Sequence, residues 1–290
     1  MTEVALSPED QTGPFIETLE NGLLRYELKS MPRLRVAFST RELFVPGVDP
    51  ASTALKALDS DNAGHLLERS VRTGSNHGAD ISVIDGDDAL SQIKVGVDGY
   101  VVRAPDTPII IPVADCPIVL FAYNGSQVCG AVHAGWCGVC AGAVQELLAA
   151  FEVAVDATFE NANVLITPYA DANQYEVTVE DIPGEINVLG KFKEALDIDG
   201  QSPLFSPDMI NAVFKKHPTN PTKAYLDVGL AINFILESAG VPPDRITVSR
   251  YRTMRDEQLW SSRLQLKELG WDGKSPRPDF NRNVMCAYIR

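Results

Sequence analysis

Five short segments rich in Val and Ile follow one another at residues 81–84, 99–103, 108–113, 117–123 and 127–132, punctuated by Asp-Gly, Pro and Asn-Gly. Branched side chains pack well on a pleated surface, and Gly, Pro and Asn supply the backbone angles of turns. The run is read as consecutive strands that form the sheet core. Asn124-Gly125-Ser126, between the last two, matches a glycosylation sequon but is read as turn chemistry.

Segments 23–28 and 34–39, with a turn near Pro32, predict a hairpin. Residues 51–71 carry Leu55, Leu58, Leu66 and Leu67 on a helical period broken at Asn62-Ala63-Gly64, which predicts one helix or two short ones. Val139, Ala143, Leu147, Leu148 and Phe151 predict an amphipathic helix over 138–151. Downstream, helices are predicted near 188–196, 208–214 and 228–239, and strands near 164–167, 224–226, 246–249 and 284–289. Residues 267–282 are polar, rich in Pro and Gly, and read as a surface loop. Helices and strands interleave without repeats or a long linker, so the expected fold is α+β, with mixed β-sheets packed with helices. A single domain is expected over 14–290, behind a flexible tail at 1–13.

The 290 residues hold 25 Lys and Arg against 39 Asp and Glu, a net charge of −14 that repels phosphate backbones and anionic lipid. Nucleic acid and membrane surfaces are therefore not expected as partners. The longest apolar stretch, about 109–123, is interrupted by Asp115 and is too short to span roughly 30 Å of hydrocarbon. The opening MTEVALSPEDQTG lacks the basic and apolar regions of a secretory signal, so the expected location is cytoplasmic. An odd set of cysteines, Cys116, Cys129, Cys137, Cys140 and Cys286, then points to metal or thiol chemistry rather than disulfides.

Two histidines stand in unusual settings. His77 lies in Ser75-Asn76-His77-Gly78, outside any apolar period, and His133 ends a strand just before Ala134-Gly135-Trp136. Asp115-Cys116-Pro117 interrupts an apolar stretch with a carboxylate and a thiol. A hairpin closed at 124–126 pairs residues whose numbers sum to about 250, which sets His133 opposite Pro117 and one step from Cys116, at roughly 4.5–5.5 Å. Such a thiol and imidazole can share an ion, and His77 as third ligand leaves the open position of a catalytic zinc. The same pair suits a cysteine nucleophile with a histidine base, oriented by Asp115. Plain structural roles fit them too. His65 and His217 show no partner pattern and are read as structural, and residues 85–88 as a solvated acidic loop.

Residues 98–136, DGYVVRAPDTPIIIPVADCPIVLFAYNGSQVCGAVHAGW, resemble the core of the YfiH-like laccase-domain family, also called the multicopper polyphenol oxidase or purine nucleoside phosphorylase family. Ala114-Asp115-Cys116 matches its ADC motif, Val132 to Trp136 its VHAGW motif, and Asn76-His77-Gly78 stands where it has the QVHG histidine. Ser39-Thr40-Arg41, Tyr175-Glu176-Val177, Leu226-Asp227 and Trp260-Ser261-Ser262-Arg263 resemble its TTR, YEV, LD and FxSxR elements. The resemblance implies zinc on His77, Cys116 and His133, with copper less supported. It also implies activity on purine nucleosides, by phosphorolysis or deamination, or on a related small polar heterocycle.

On this reading Cys116 and Asp115 are catalytic, with Asp115 positioning ligands or moving a proton. Arg41 and Arg263 are candidates for contacts to an anion such as phosphate. Asn76 faces the substrate, and Trp136 forms an apolar wall. The chain departs from the family at HAGWRG, where Cys137 replaces an arginine, at QVHG, where Ser75 and Asn76 stand, and at 167–173, which replaces a Gly-Pro-Cys-rich loop. The lost arginine weakens the case for phosphorolysis in particular. It keeps open a specialised enzyme with a non-nucleoside substrate, a metal-free Cys–His hydrolase and a non-catalytic binding protein. Trp136 to Cys140 imitates a thioredoxin-type WCxxC, but HAGW and ADC account for the same residues better.

Overall fold

The computed structural model describes residues 13–86, 96–123, 127–156, 158–197, 200–271 and 275–290. In chain order the elements are β1 (Phe15–Glu20), β2 (Leu23–Leu28), β3 (Leu34–Ser39), α1 (Pro50–Leu58), α2 (Ala63–Arg69), β4 (Val71–Arg72), β5 (Ile81–Ile84), β6 (Gly99–Val102), β7 (Ile109–Val113), β8 (Ile118–Tyr123) and β9 (Cys129–His133). There follow α3 (Trp136–Ala141), α4 (Ala143–Val155), β10 (Ala162–Ile166), β11 (Glu176–Thr178), α5 (Val188–Glu194), α6 (Pro207–Val213), β12 (Phe214–Lys216), β13 (Lys223–Leu226), α7 (Val228–Ser238), β14 (Ile246–Val248), α8 (Ser262–Glu268) and β15 (Asn283–Ile289). The expected α+β class is what forms. No helix among the described residues is long and apolar enough to cross a membrane.

Two six-stranded sheets carry the fold, ordered β1-β2-β3-β15-β7-β4 and β14-β10-β8-β9-β6-β5, and β11-β13-β12 form a third, smaller one. Side chains of a strand alternate between faces, and here each face of both large sheets meets a different core. In β15, Met285 and Ala287 join the core between the sheets, with Ile111 of β7 and Leu120 of β8, while Val284, Cys286 and Tyr288 pack with Leu55 of α1 and Leu66 of α2. Across the second sheet, Val119, Phe121 and Val132 turn outward to α4, α7 and the small sheet. The order of layers is helices, sheet, sheet, helices. Burial on both sides explains why these strands read as nearly unbroken Val and Ile runs instead of alternating with polar residues.

Several expectations need correction. β8 and β9 pair with Ile118 opposite His133, so the register sum is 251 and Pro117 lies one step off; the 124–126 turn itself lies outside the described residues. The helix expected over 138–151 is two, α3 and α4, because Gly142 adopts the left-handed conformation at φ 89° and ends the first. Residues 51–71 form two helices, as the Asn62-Ala63-Gly64 break allows, but the second ends at Arg69 and Val71 begins β4. The sequence did not predict β1, whose period is hidden by Glu17, an acid that turns inward to the Ser249 hydroxyl and Arg250. Residues 1–12 of the expected tail, and 87–88 of the acidic loop, lie outside the described residues. Gly13 is already docked, since a Cβ there would fall 2.4 Å from the Ile246 carbonyl.

Gly142 has open space where a Cβ would stand, so its substitution isolates the backbone effect. Gly142→Ala is expected to cost about 1–2 kcal/mol of stability in urea denaturation, with the slope of the transition unchanged.

Candidate metal centre

Three adjacent strands deliver the site. β8 and β6 both run antiparallel to β9, so the residues before β8 and β6 and the last residue of β9 meet at one end of the sheet. Cys116 precedes β8, Asp98 precedes β6 and His133 ends β9. The register that pairs Gly99 with Val132 sets Asp98 beside His133, whose N–H donates to the Asp98 carbonyl at 2.9 Å.

His77 arrives on a loop wound by two left-handed residues, Ser75 at φ 50° and His77 at φ 64°. Only a few per cent of non-glycine residues adopt such angles, so something must hold them. The Asp98 carboxylate does: it accepts from the His77 N–H at 2.9 Å and the Gly78 N–H at 2.8 Å, and faces Nδ1 of His133 at 3.3 Å. Asp98 is almost fully buried, at 1% exposure. Burial by itself would raise its pKa, but the bonds from His133, Gly78 and His77 outweigh that and hold it below the ordinary carboxylate range. An ionised carboxylate only accepts, so Nδ1 of His133 carries its proton toward Asp98 and Nε2 is left to ligate.

The two imidazoles meet edge to face, 4.8 Å between centroids. Desolvation of its ring, then the neighbouring His133 and Arg277, hold His77 below its ordinary pKa against the pull of Asp98. Neutral imidazole is the form that binds metal. One ligand atom from each of His77, Cys116 and His133 lies within 4.8 Å of the other two. Around a tetrahedral zinc such atoms sit about 3.3–3.6 Å apart, so a small inward shift of the side chains is enough to close them on an ion. One sulfur and two imidazole nitrogens suit zinc or cuprous copper, and three protein ligands leave a position open.

Gly135 lets Cys116 approach the histidines. A Cβ there would lie 2.7 Å from the Cys116 sulfur and 3.5 Å from the His77 ring. Burial, with Asp115 and Cys137 nearby, pushes the Cys116 thiol up to about 12. Asp115 beside it is fully engaged: its carboxylate accepts from Thr253 at 2.7 Å, Ser262 at 2.5 Å and the Arg263 N–H at 3.0 Å. It fastens the start of α8 beneath the site.

A cleft of about 250 Å³ opens over the cluster, lined by His77, Asp115, Cys116 and His133 together with Ser75, Ser262, Arg277, Phe280 and Arg282. The other residues singled out from sequence stand outside that lining. Arg41 lies over the Trp260 ring and donates to the Leu259 carbonyl. Arg263 lies over Tyr175 and donates to the Glu176 carbonyl. Asn76 donates to the Gly96 carbonyl at 2.7 Å, which braces the His77 loop, and Trp136 packs on the helical core. His217, read without partners from the sequence, has them: its Nδ1 accepts from the Thr219 and Asn220 N–H groups and its Nε2 lies 3.2 Å from the Glu176 carboxylate.

Sequence reasoning missed Asp98, taken only as turn punctuation, and Arg277, Phe280 and Arg282, taken as surface loop. It also missed α8. The first becomes visible only once β6 is paired with β9, which puts an acid beside His133.

Two substitutions test the scaffold by competitive chelator titration. Asp98→Asn should weaken metal binding about 10–100-fold, the usual effect of losing a carboxylate behind a ligating histidine. Gly135→Ala should displace the sulfur and weaken it as well, while Gly142→Ala leaves metal affinity unchanged.

A family model described as multi-copper polyphenol oxidoreductase laccase matches residues 56–271. Purine nucleoside phosphorylase SSP1584 of Staphylococcus saprophyticus is 29% identical over 175 residues, 60% of this chain and 57% of that protein. Purine nucleoside phosphorylase YfiH of Shigella flexneri is 34% identical over 89 residues, 31% of this chain and 35% of that protein. The aligned stretches thus span little more than half of the first relative's length and about a third of the second's. Among solved structures, YlmD from Geobacillus stearothermophilus aligns at TM-score 0.71 and 22% identity, covering 96% of this chain and all of that one. YfiH of Bacillus licheniformis aligns at 0.70 and 17%, covering 96% and 99%. With the family model spanning most of the chain and the same fold in these neighbours, the chain belongs to the multi-copper polyphenol oxidoreductase laccase family, as a divergent YfiH-like member.

Proposed function

We propose that the protein is a zinc enzyme that cleaves purine nucleosides with phosphate, the base leaving as the C1′–N bond breaks and phosphate oxygen bonding to C1′. The observation that carries this reading is the convergence of His77, Cys116 and His133 on the wall of a small cleft. Relatives named purine nucleoside phosphorylase supply the substrate class. At about 250 Å³ the cleft is just below the roughly 300–1,000 Å³ of pockets for drug-sized ligands, a size for a small polar molecule.

When bound, zinc would supply a Lewis acid able to stabilise negative charge or acidify water. The chain's own contribution is order. Asp98 fixes the tautomer and tilt of His133 and the loop that carries His77. Asp115 fixes the start of α8, and so the Ser262 side chain at the cleft wall. Those groups are set before any substrate arrives, which lowers the cost of binding it. The rival metal-free Cys116–His133 nucleophile fares worse, because burial, with Asp115 nearby, raises the Cys116 thiol above its ordinary range and so disfavours the thiolate that such a nucleophile needs.

Elemental analysis of the wild type should give about one zinc per chain, lost in Cys116→Ser and His133→Ala. Phosphate-dependent release of base from inosine or adenosine should disappear with it, and ammonia release from adenosine is measured alongside. Full metal content without turnover of any nucleoside would move the substrate to another class. Wild type that takes up no metal when zinc is supplied would sink the zinc reading.

A further inference from the structure

Six arginines of the described residues lie over aromatic rings. Four have a second partner: Arg41 donates to the Leu259 carbonyl, Arg252 to that of Tyr251, Arg263 to that of Glu176, and Arg250 pairs with Glu17. Arg277 and Arg282 differ. Among the described residues neither has a carboxylate partner or a hydrogen bond, and both share the single ring of Phe280, each 4.6 Å from its centroid. Asp279 stands between them in the sequence and is exposed, and both guanidiniums face solvent beside the ring without an ion pair among the described residues. Asp115, the carboxylate of this cleft, is taken up by Thr253, Ser262 and the Arg263 N–H.

All three residues line the cleft over His77, Cys116 and His133, and the charge of Arg277 bears on both His77 and Cys116. We infer that Arg277 and Arg282 form a clamp for the phosphate group of a substrate or co-substrate at the mouth of the metal cleft. This rests on the reading of the cleft as the substrate site, and adds where the anionic group lies. A tetrahedral oxyanion offers acceptors to both guanidinium forks in charge-assisted contacts, which neither fork has from a carboxylate of the described residues. Phe280 holds the forks in place beforehand, which reduces the ordering cost of binding. The phosphate enters either free or carried on a nucleoside monophosphate.

The test is calorimetric titration of the metal-loaded full chain with inorganic phosphate, inosine 5′-monophosphate and inosine, in wild type, Arg277→Gln, Arg282→Gln and the double variant. At least one phosphate compound should bind, about tenfold weaker in each single variant and about a hundredfold weaker in the double, with inosine affinity unchanged. Binding of inorganic phosphate identifies a free co-substrate; binding of the monophosphate alone identifies a phosphorylated substrate. Wild type that binds neither, phosphate affinity unaffected by the double substitution, or an equal loss of inosine affinity overturns the clamp. Nucleoside turnover on the same proteins separates the two readings. Turnover without arginine-dependent phosphate binding leaves the proposed function standing and removes the clamp, while arginine-dependent binding without turnover does the reverse.

Discussion

A carboxylate taken out of water is costly unless donors surround it, and Asp98 is buried with donors from two directions. Two are backbone N–H groups of the loop carrying His77, and the third is the ring of His133 at the end of β9. The same anion that needs these bonds forces His77 into a left-handed backbone and aims His133. Removing it would leave a strained loop without its restraint and an imidazole free to rotate. The rest of the cluster depends on that arrangement, because Cys116 meets the histidines only where they already stand.

The layers explain why the site is at the end of a sheet and not within it. Both faces of the second sheet are covered, one by the first sheet and the other by α4 and α7, so strand interiors offer no access for a ligand. Polar chemistry is left to the strand ends, where β6, β8 and β9 terminate together. There Gly135 allows close approach, and α3 begins directly after it. Rigid strands place the ligands, and the turns between strands place their supports.

Most of the sheet was legible in the sequence because burial on both faces leaves long Val and Ile runs with clear breaks. The strands that escaped notice are those that break this pattern, β1 with its inward Glu17 and the short β4, β11 and β12. Cys116 and His133 could be brought together from a turn and a pairing rule, and a register error of one residue did no harm. Asp98 could not, because its partner lies on β9 and the β6–β9 pairing joins strands that are not consecutive in the chain. Arg277, Phe280 and Arg282 were harder still. A polar loop rich in Pro and Gly has no period from which to read its direction, and only tertiary structure lays it over the cleft.

That loop changes the argument about charge. Cys137 occupies a position where the family resemblance leads one to expect an arginine, and a motif-based reading concludes that the cleft has lost positive charge. The structure places two guanidiniums on the cleft wall from residues more than a hundred positions later in the chain. A Coulombic field depends on where charges lie in space, so a loss at one motif position does not settle the potential of the site. In a chain of net charge −14, two arginines stacked on one ring beside the metal-ligand cluster add positive charge where the motif position lost it, and that charge is what the proposed anion contact draws on.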